Sequence, residues 1–295
     1  MKTVAVIGAG TMGNGIAHVF AQHGLVVKLI DVSEKTLDNA MNTIANNLNR
    51  MVSKGTITPD LFAKTITNII TYTDLKDGVT GADFVIEAAT ENLDLKRTIF
   101  KQLNDFCAHN TIFASNTSSI SITEIANEVV HPERVIGMHF MNPVPLMPLV
   151  EIIKGKKTSE EVVTITVALA KKLSKTAVVV HDAPGFVANR ILMPMINEAI
   201  ETLQTNIGGV IEIDTIMKLG MNHPMGPLQL ADHIGLDVCL SIMNVLYDGF
   251  KNPKYAPNSL LIQMVKEGKL GVKSGEGFYD YKEHKKAEKV AKQFV

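Results

Sequence analysis

The segment Gly8-Ala9-Gly10-Thr11-Met12-Gly13 constrains this chain more than any other. Glycine-rich turns are common, so the G-x-G-x-x-G spacing alone says little. Here it follows the apolar run Val4-Ala5-Val6-Ile7 and opens a helical stretch from Gly13 to Gly24. A second apolar run, Val26 to Ile30, ends at Asp31, eighteen residues beyond Gly13. Strand, glycine turn, helix, strand and acid in that order are what a dinucleotide site requires. Gly8 permits the tight turn, Gly10 lets a pyrophosphate approach the backbone, and Gly13 lets helix and strand pack closely. The helix N-terminus offers free N–H groups to phosphates. Asp31 accepts hydrogen bonds from an adenosine ribose and its charge repels a 2′-phosphate, which favours NAD over NADP. The bland alternative is a glycine turn with Asp31 as a helix cap.

Further apolar runs continue the alternation: Asn68 to Tyr72, Phe84 to Ile86, Thr111 to Ala114, and Arg134 to Met138. Helical stretches separate most of them. Continuous apolar strands alternating with helices predict a parallel sheet covered on both faces, an α/β, Rossmann-like doubly wound domain. Leu37, Met41, Ile44, Leu48 and Met51 recur at spacings of four and three, a narrow helical seam. With Pro59 to Thr67 behind it, this predicts a helical hairpin standing off the sheet. After Glu151, a helix near Ser159 to Leu173 leads into Ala177 to Val180. From Gly185 the pattern becomes helical: Ile191, Leu192, Met195, Ile196, Ala199, Ile200 and Leu203 share a face, with Pro194 expected to kink the helix. Helical runs follow at Ile213–Leu219, Leu236–Phe250 and Leu260–Lys266, and Gly277 to Tyr281 carries the one later strand signal. Asp182-Ala183-Pro184-Gly185 reads as a turn between domains, 1–183 and 184–295.

The 29 basic and 30 acidic residues leave a net charge of −1. No bulk positive field holds a polyanion, so nucleic acid is not an expected partner. Cys107 and Cys239 lie far apart and fit neither a disulfide framework nor a zinc site; two reduced thiols and a cytoplasmic protein are expected. No segment has the length and polarity of a signal peptide or membrane span. The most apolar long stretch, Gly185 to Gln204, contains Asn189, Arg190, Asn197, Glu198 and Glu201 and reads as a buried helix.

His139-Phe140-Met141-Asn142-Pro143-Val144-Pro145 is the second informative stretch. His139 ends a predicted strand, where ligands bind in open α/β sheets. The other eight histidines read as structural or exposed. Glu151 lies twelve residues on, among apolar neighbours, and a buried carboxylate needs a partner. If the chain doubles back through its prolines, Glu151 can accept from one imidazole nitrogen while the other faces a substrate hydroxyl. Spacing alone leaves this open. Ser115-Asn116-Thr117-Ser118-Ser119 follows another strand end; its polar groups could bind a substrate oxygen, cap the next helix, or both. Asn189, polar among apolar neighbours, is either a site residue or a core amide satisfied by backbone.

At these residues the chain resembles the short-chain L-3-hydroxyacyl-CoA dehydrogenases. The resemblance runs through Gly8–Gly13 with Asp31, residues 115–119, His139 to Pro143 with Glu151, Pro184 to Arg190, His223 to Pro227, and Gly275 to Tyr279. It implies a Rossmann-like domain followed by an all-α dimerisation domain, a homodimer, and an active site in the cleft between the domains. It implies His139 as general base or acid oriented by Glu151, with Ser118 and Asn189 positioning the substrate. NAD would be met by Gly8, Gly10, Gly13 and Asp31, and on the nicotinamide side by Glu91, Lys96, Ser118, Asn142 and Lys273. The implied substrate is an acyl-CoA, 3-hydroxybutyryl-CoA first, interconverted with the 3-keto thioester by hydride transfer. Lys54 matches a lysine that meets the CoA moiety; its bland reading is a solvated helix lysine. The family's serine contact on the same helix falls on Asn47 here, a departure. The competing readings are a dehydrogenase of a free hydroxy acid or sugar acid on the same scaffold, and a non-catalytic NAD-binding protein. No metal is expected.

Overall fold

The computed structural model describes residues 1–284 and 286–295 and divides into two compact units, Met1–Ala183 and Pro184–Val295. The first unit alternates β1 (Thr3–Ile7), α1 (Thr11–Gln22), β2 (Val26–Ile30), α2 (Glu34–Ser53), α3 (Pro59–Thr67), β3 (Ile69–Tyr72), α4 (Leu75–Val79) and β4 (Phe84–Glu87). It continues with α5 (Leu93–Phe106), β5 (Ile112–Ser115), α6 (Ile122–Ala126), β6 (Val135–Phe140), β7 (Leu149–Lys154), α7 (Glu160–Lys172) and β8 (Thr176–His181). The strands form one sheet in the order β3-β2-β1-β4-β5-β6-β7-β8. The chain builds outward from β1 to β3, then returns to lay β4 against the other side of β1. In open sheets of this kind ligands bind in the crevice at that switch, beyond the carboxyl ends of the strands.

Apolar residues fill the strands: Val4, Ala5 and Val6 in β1 and Phe84, Val85 and Ile86 in β4 have no exposure, as strands covered on both faces require. The α2 seam behaves as its spacing predicts, with Leu37, Ile44 and Leu48 in the core and Met41 and Met51 packed on its margin. The α2–α3 hairpin leans on α1 rather than on the strands. Side chains close the helix starts: Ser33, Thr58, Asn92, Ser121 and Ser159 each accept a backbone N–H two or three residues into the helix they precede. Each such cap is worth about 1 kcal/mol. Helix α1 differs. Its N-cap is Gly10, with no side-chain cap.

One neighbour pair breaks the parallel pattern. β7 runs antiparallel to β6, in a register that sets His139 opposite Glu151 and Phe140 opposite Val150. The start of β7 therefore shares an edge with the ends of β1, β4, β5 and β6.

The second unit contains α8 (Ala188–Gln204), α9 (Val210–Thr215), α10 (Pro227–Ile234), α11 (Leu236–Phe250) and α12 (Ser259–Lys266). A π-helical turn, Ile216–Gly220, extends α9. One expectation, the place of Ile191, needs correction. Helix α8 continues past Pro194, and its buried face is set by Met193, Ile196, Ala199, Ile200 and Leu203, with Ile191, expected on that face, 66% exposed. Helix α10 was not among the helical runs expected, because Gly226 at its start supplies no side-chain cap and distant Asp214 closes it instead; Gly235, at φ +100°, then turns the chain by 97° into α11. The strand signal at Gly277 to Tyr281 falls on β9 (Tyr279–Asp280), which pairs antiparallel with β10 (Lys289–Val290).

Two buried carboxylates organise this unit. Asp214 accepts the Leu228 and Gln229 N–H groups and the Tyr279 hydroxyl, the last at 2.8 Å, thereby capping α10 from a distance. Asp232 accepts the Phe278 and Tyr279 N–H groups at 3.0 and 2.9 Å and the Tyr281 hydroxyl at 3.1 Å. Burial pushes Asp232 up to about 7, against those three donors. A carboxyl whose folded pKa is raised binds its proton more tightly in the folded state. The stability it contributes is present at low pH and lost as pH rises through about 7. Unfolding by urea at pH 5 and pH 8 should therefore show a fall in midpoint for the native chain that Asp232→Asn diminishes. An identical pH dependence in both proteins would contradict this.

Candidate active site

The glycine turn lies at the switch point, between β1 and α1. Gly8 has φ +96°, and a Cβ there would lie 2.6 Å from the Ala88 carbonyl oxygen. A Cβ on Gly13 would meet the Gly8 carbonyl oxygen at 1.7 Å, so α1 enters the sheet at a distance only glycine allows. At Gly10 a Cβ would meet nothing within 4 Å. The space above Gly10, beside the uncapped start of α1, is open to a ligand phosphate. Asp31 closes β2 and fixes the turn: its two carboxylate oxygens accept the Ala9 N–H at 2.9 Å and the Ser33 N–H at 3.1 Å. The turn, the open N-terminus and the acid suit a dinucleotide.

The second cluster lies at the ends of β4, β5 and β6. His139 and Glu151 are both nearly buried, and Nδ1 of His139 lies 2.8 Å from Glu151 Oε2. An ionised carboxylate only accepts, so Nδ1 carries the proton and Nε2 presents its lone pair. The Ser118 hydroxyl stands 3.1 Å from Nε2. The structure sorts the 115–119 run into separate tasks. The Ser115 hydroxyl donates to Glu87, and Asn116 accepts the Phe140 N–H at 2.9 Å, stapling β5 to β6. Thr117 donates to Glu91, and Ser118 faces His139. Capping of α6 falls to Ser121, outside the run.

Glu91 is half-exposed, and its Oε1 gathers the Thr117 hydroxyl at 2.5 Å, the Ser118 and Ser119 N–H groups at 3.0 and 3.2 Å, and the Ser119 hydroxyl at 2.9 Å. Burial opposes its ionisation, but the Lys96 ammonium and these donors outweigh that and hold its carboxyl below the usual value. Lys96 is only 1% exposed, 2.6 Å from Glu87 and 3.3 Å from Glu91. Sequence reasoning missed Glu87. The signal was present, since an acid closing the run Phe84-Val85-Ile86 needs a partner by the logic applied to Glu151.

Other expected residues are placed as follows. Asn142 is exposed just past β6, and its bond to Pro143 is cis. Lys54 is the exposed C-cap of α2, with Asn47 on the same helix. In the second unit, Asn189 is buried in the first turn of α8, and Lys273 pairs with Asp237 at 2.6 Å. Burial raises both thiols, Cys107 to about 11 and Cys239 to about 12, leaving them poor nucleophiles. Among the described residues, no group of three or more His, Cys, Asp or Glu could hold a metal ion.

Comparison with known proteins gives the family. Residues 3–183 match the family described as "3-hydroxyacyl-CoA dehydrogenase, NAD binding domain", and residues 185–281 match its "C-terminal domain". A 3-hydroxybutyryl-CoA dehydrogenase of Bradyrhizobium diazoefficiens is 51% identical over 282 residues, spanning 96% of each chain. One from Clostridioides difficile is 47% identical over 281 residues, covering 94% of this chain and 99% of that protein. The crystal structure of (S)-3-hydroxybutyryl-CoA dehydrogenase from Ralstonia eutropha superposes with a TM-score of 0.92 at 48% identity, covering 95% of this chain and 99% of that one.

The glycine geometry separates two substitutions that look alike. Gly10→Ala adds a methyl to open space and should leave the thermal midpoint unchanged while weakening NADH binding, read by fluorescence titration. Gly13→Ala forces α1 off the sheet and should lower the midpoint itself. Equal stability losses would show that Gly10 serves packing rather than ligand approach.

Proposed function

The chain belongs to the 3-hydroxyacyl-CoA dehydrogenase family, and from that premise we propose that it interconverts (S)-3-hydroxybutyryl-CoA and acetoacetyl-CoA with NAD. The observation that carries the reading is the Ser118–His139–Glu151 chain of hydrogen bonds at the sheet edge that faces the dinucleotide turn. When bound, NAD supplies the hydride acceptor for oxidation and NADH the donor for reduction. The turn at Gly8, Gly10 and Gly13 holds the pyrophosphate and Asp31 the adenosine ribose. Glu91, Lys96, Asn142 and Lys273 serve the nicotinamide side, Lys96 from behind Glu91.

In oxidation, His139 Nε2 accepts the proton of the 3-hydroxyl. The charge that develops on imidazole is stabilised by Glu151 through Nδ1–H, which also keeps the ring from turning. In reduction, His139 returns the proton to the forming alkoxide. Ser118 and Asn189 orient the reacting oxygen. Lys54 meets a CoA phosphate at the exposed end of α2, a contact that a free hydroxy acid could not use.

The second unit leaves Ile191, Ile207, Ile211, Ile216, Leu219 and Met221 more than half exposed. So much bare aliphatic surface suits a subunit interface, and a homodimer is the assembly proposed. Sedimentation at micromolar concentration should give twice the chain mass; a monomer would end that reading.

Kinetics test the chemistry. His139→Gln should lower kcat by roughly 10²–10⁴ with NADH binding near normal, and Glu151→Gln should lower it too. The double variant should be far less impaired than the product of the single effects, because groups acting as a unit are non-additive. Multiplicative losses would make Glu151 an ordinary buried carboxylate. Lys54→Ala should raise KM for acetoacetyl-CoA much more than it lowers kcat, and less so at high salt. An unchanged KM at low salt would return Lys54 to the solvated face of α2.

A further inference from the structure

Glu87 is fully buried at the end of β4, and its side chain is fully engaged. Oε1 accepts the Lys96 ammonium at 2.6 Å and the Ala89 N–H at 2.7 Å, and Oε2 accepts the Ser115 hydroxyl at 2.7 Å. Its backbone carbonyl accepts the Asn116 N–H at 2.7 Å. These contacts meet both ends of one short segment. Ser115 opens the 115–119 run and also accepts the Thr117 N–H. Lys96 reaches Glu91 at 3.3 Å, and Glu91 closes the run at Ser118 and Ser119. Between those anchors stands Ser118, with its hydroxyl on His139 Nε2.

We propose that Glu87 is a positioning residue for the proton transfer, aiming the Ser118 hydroxyl at His139 through Ser115 on one side and through Lys96 and Glu91 on the other. The proposal rests on the reading of His139 as the proton acceptor. A half-exposed carboxylate such as Glu91 has several rotamers available in water. An ammonium fixed at depth selects the one that collects the four donors. Charge-assisted bonds in a dry setting are the strong ones, and chains of them reinforce one another. Without the Glu87 charge, Lys96 keeps Glu91 as its one remaining carboxylate partner among the described contacts. Glu91 is then drawn toward the ammonium and away from the Ser118 and Ser119 amides.

The test is a double-mutant cycle on kcat with Glu87→Gln and Ser118→Ala at saturating NADH and acetoacetyl-CoA, with thermal midpoints and NADH affinity measured alongside. Each single variant should lower kcat about tenfold, the scale of one charged-group hydrogen bond, with KM for acetoacetyl-CoA changed by less than about twofold. In the Ser118→Ala background, Glu87→Gln should cost less than about twofold more. A purely structural Glu87 would lower the midpoint and leave the losses multiplicative; multiplicative losses overturn the proposal, as does a folded Glu87→Gln with native kcat. If Ser118→Ala alone leaves kcat unchanged, the role of Ser118 fails first and the proposal falls with it. Should Glu87→Gln not fold, the charge-balanced Glu87→Gln/Lys96→Met pair is placed in the same cycle, with the same expectation and the same grounds for rejection.

Discussion

In a sheet whose other neighbours all run parallel, β7 turns back along β6, and the proposed chemistry depends on that reversal. A parallel β7 would need a long crossover and would bring its carboxyl end, not Glu151, to the crevice edge. The antiparallel register instead sets Glu151 directly across from His139 on the same face, where a 2.8 Å bond forms between them. A strand pair holds this distance more rigidly than a loop could. The imidazole orientation is a property of the sheet, and its tautomer follows from the carboxylate.

The same edge gathers buried charge. Glu87, Lys96 and Glu151 are each under 4% exposed, all at or beside strand ends of one sheet. Burying charges costs several kcal/mol per ion unless partners are well placed. Each charge here has close partners, and those of Glu87 and Lys96 include neighbours on the 115–119 segment or at Glu91. Desolvated ions are a poor way to gain stability. They are an effective way to fix geometry, and the cluster at Glu87 sits beside the segment that carries Ser118 to His139.

Much of this was legible in the chain. The strands of the first unit follow continuous apolar runs, and Gly8–Gly13 with Asp31 marked the tight turn between β1 and α1, because close backbone approach leaves few residues to choose from. His139 and Glu151 stood out as polar residues at or inside buried strands. The division of labour in 115–119 was not legible, because serine, asparagine and threonine can cap, brace or bind with equal ease and only neighbours decide. Glu87 was overlooked because its partners lie 9 and 28 residues away, at Lys96 and Ser115, joined by folding rather than by period. In the second unit, α10 carried no local start signal, since its cap Asp214 lies 14 residues before Leu228, and Gly235 set its corner. Ile191 matched the spacing of the α8 core and still faces outward, since a pattern gives the width of an apolar stripe more reliably than its margins.

Asp31 carries two duties that cannot be separated by simple substitution. The carboxylate expected to read the ribose also holds the glycine turn, through Ala9, and the entry to α2, through Ser33. An engineer wishing to convert this scaffold to a phosphorylated cofactor would remove that acid first. Doing so strips an acceptor from the Ala9 amide in the turn proposed to cradle the pyrophosphate. On that proposal, cofactor choice is mortised into the backbone. A successful redesign has to rebuild the turn's hydrogen bonds along with the pocket, and a library varied at position 31 alone explores little of the usable space.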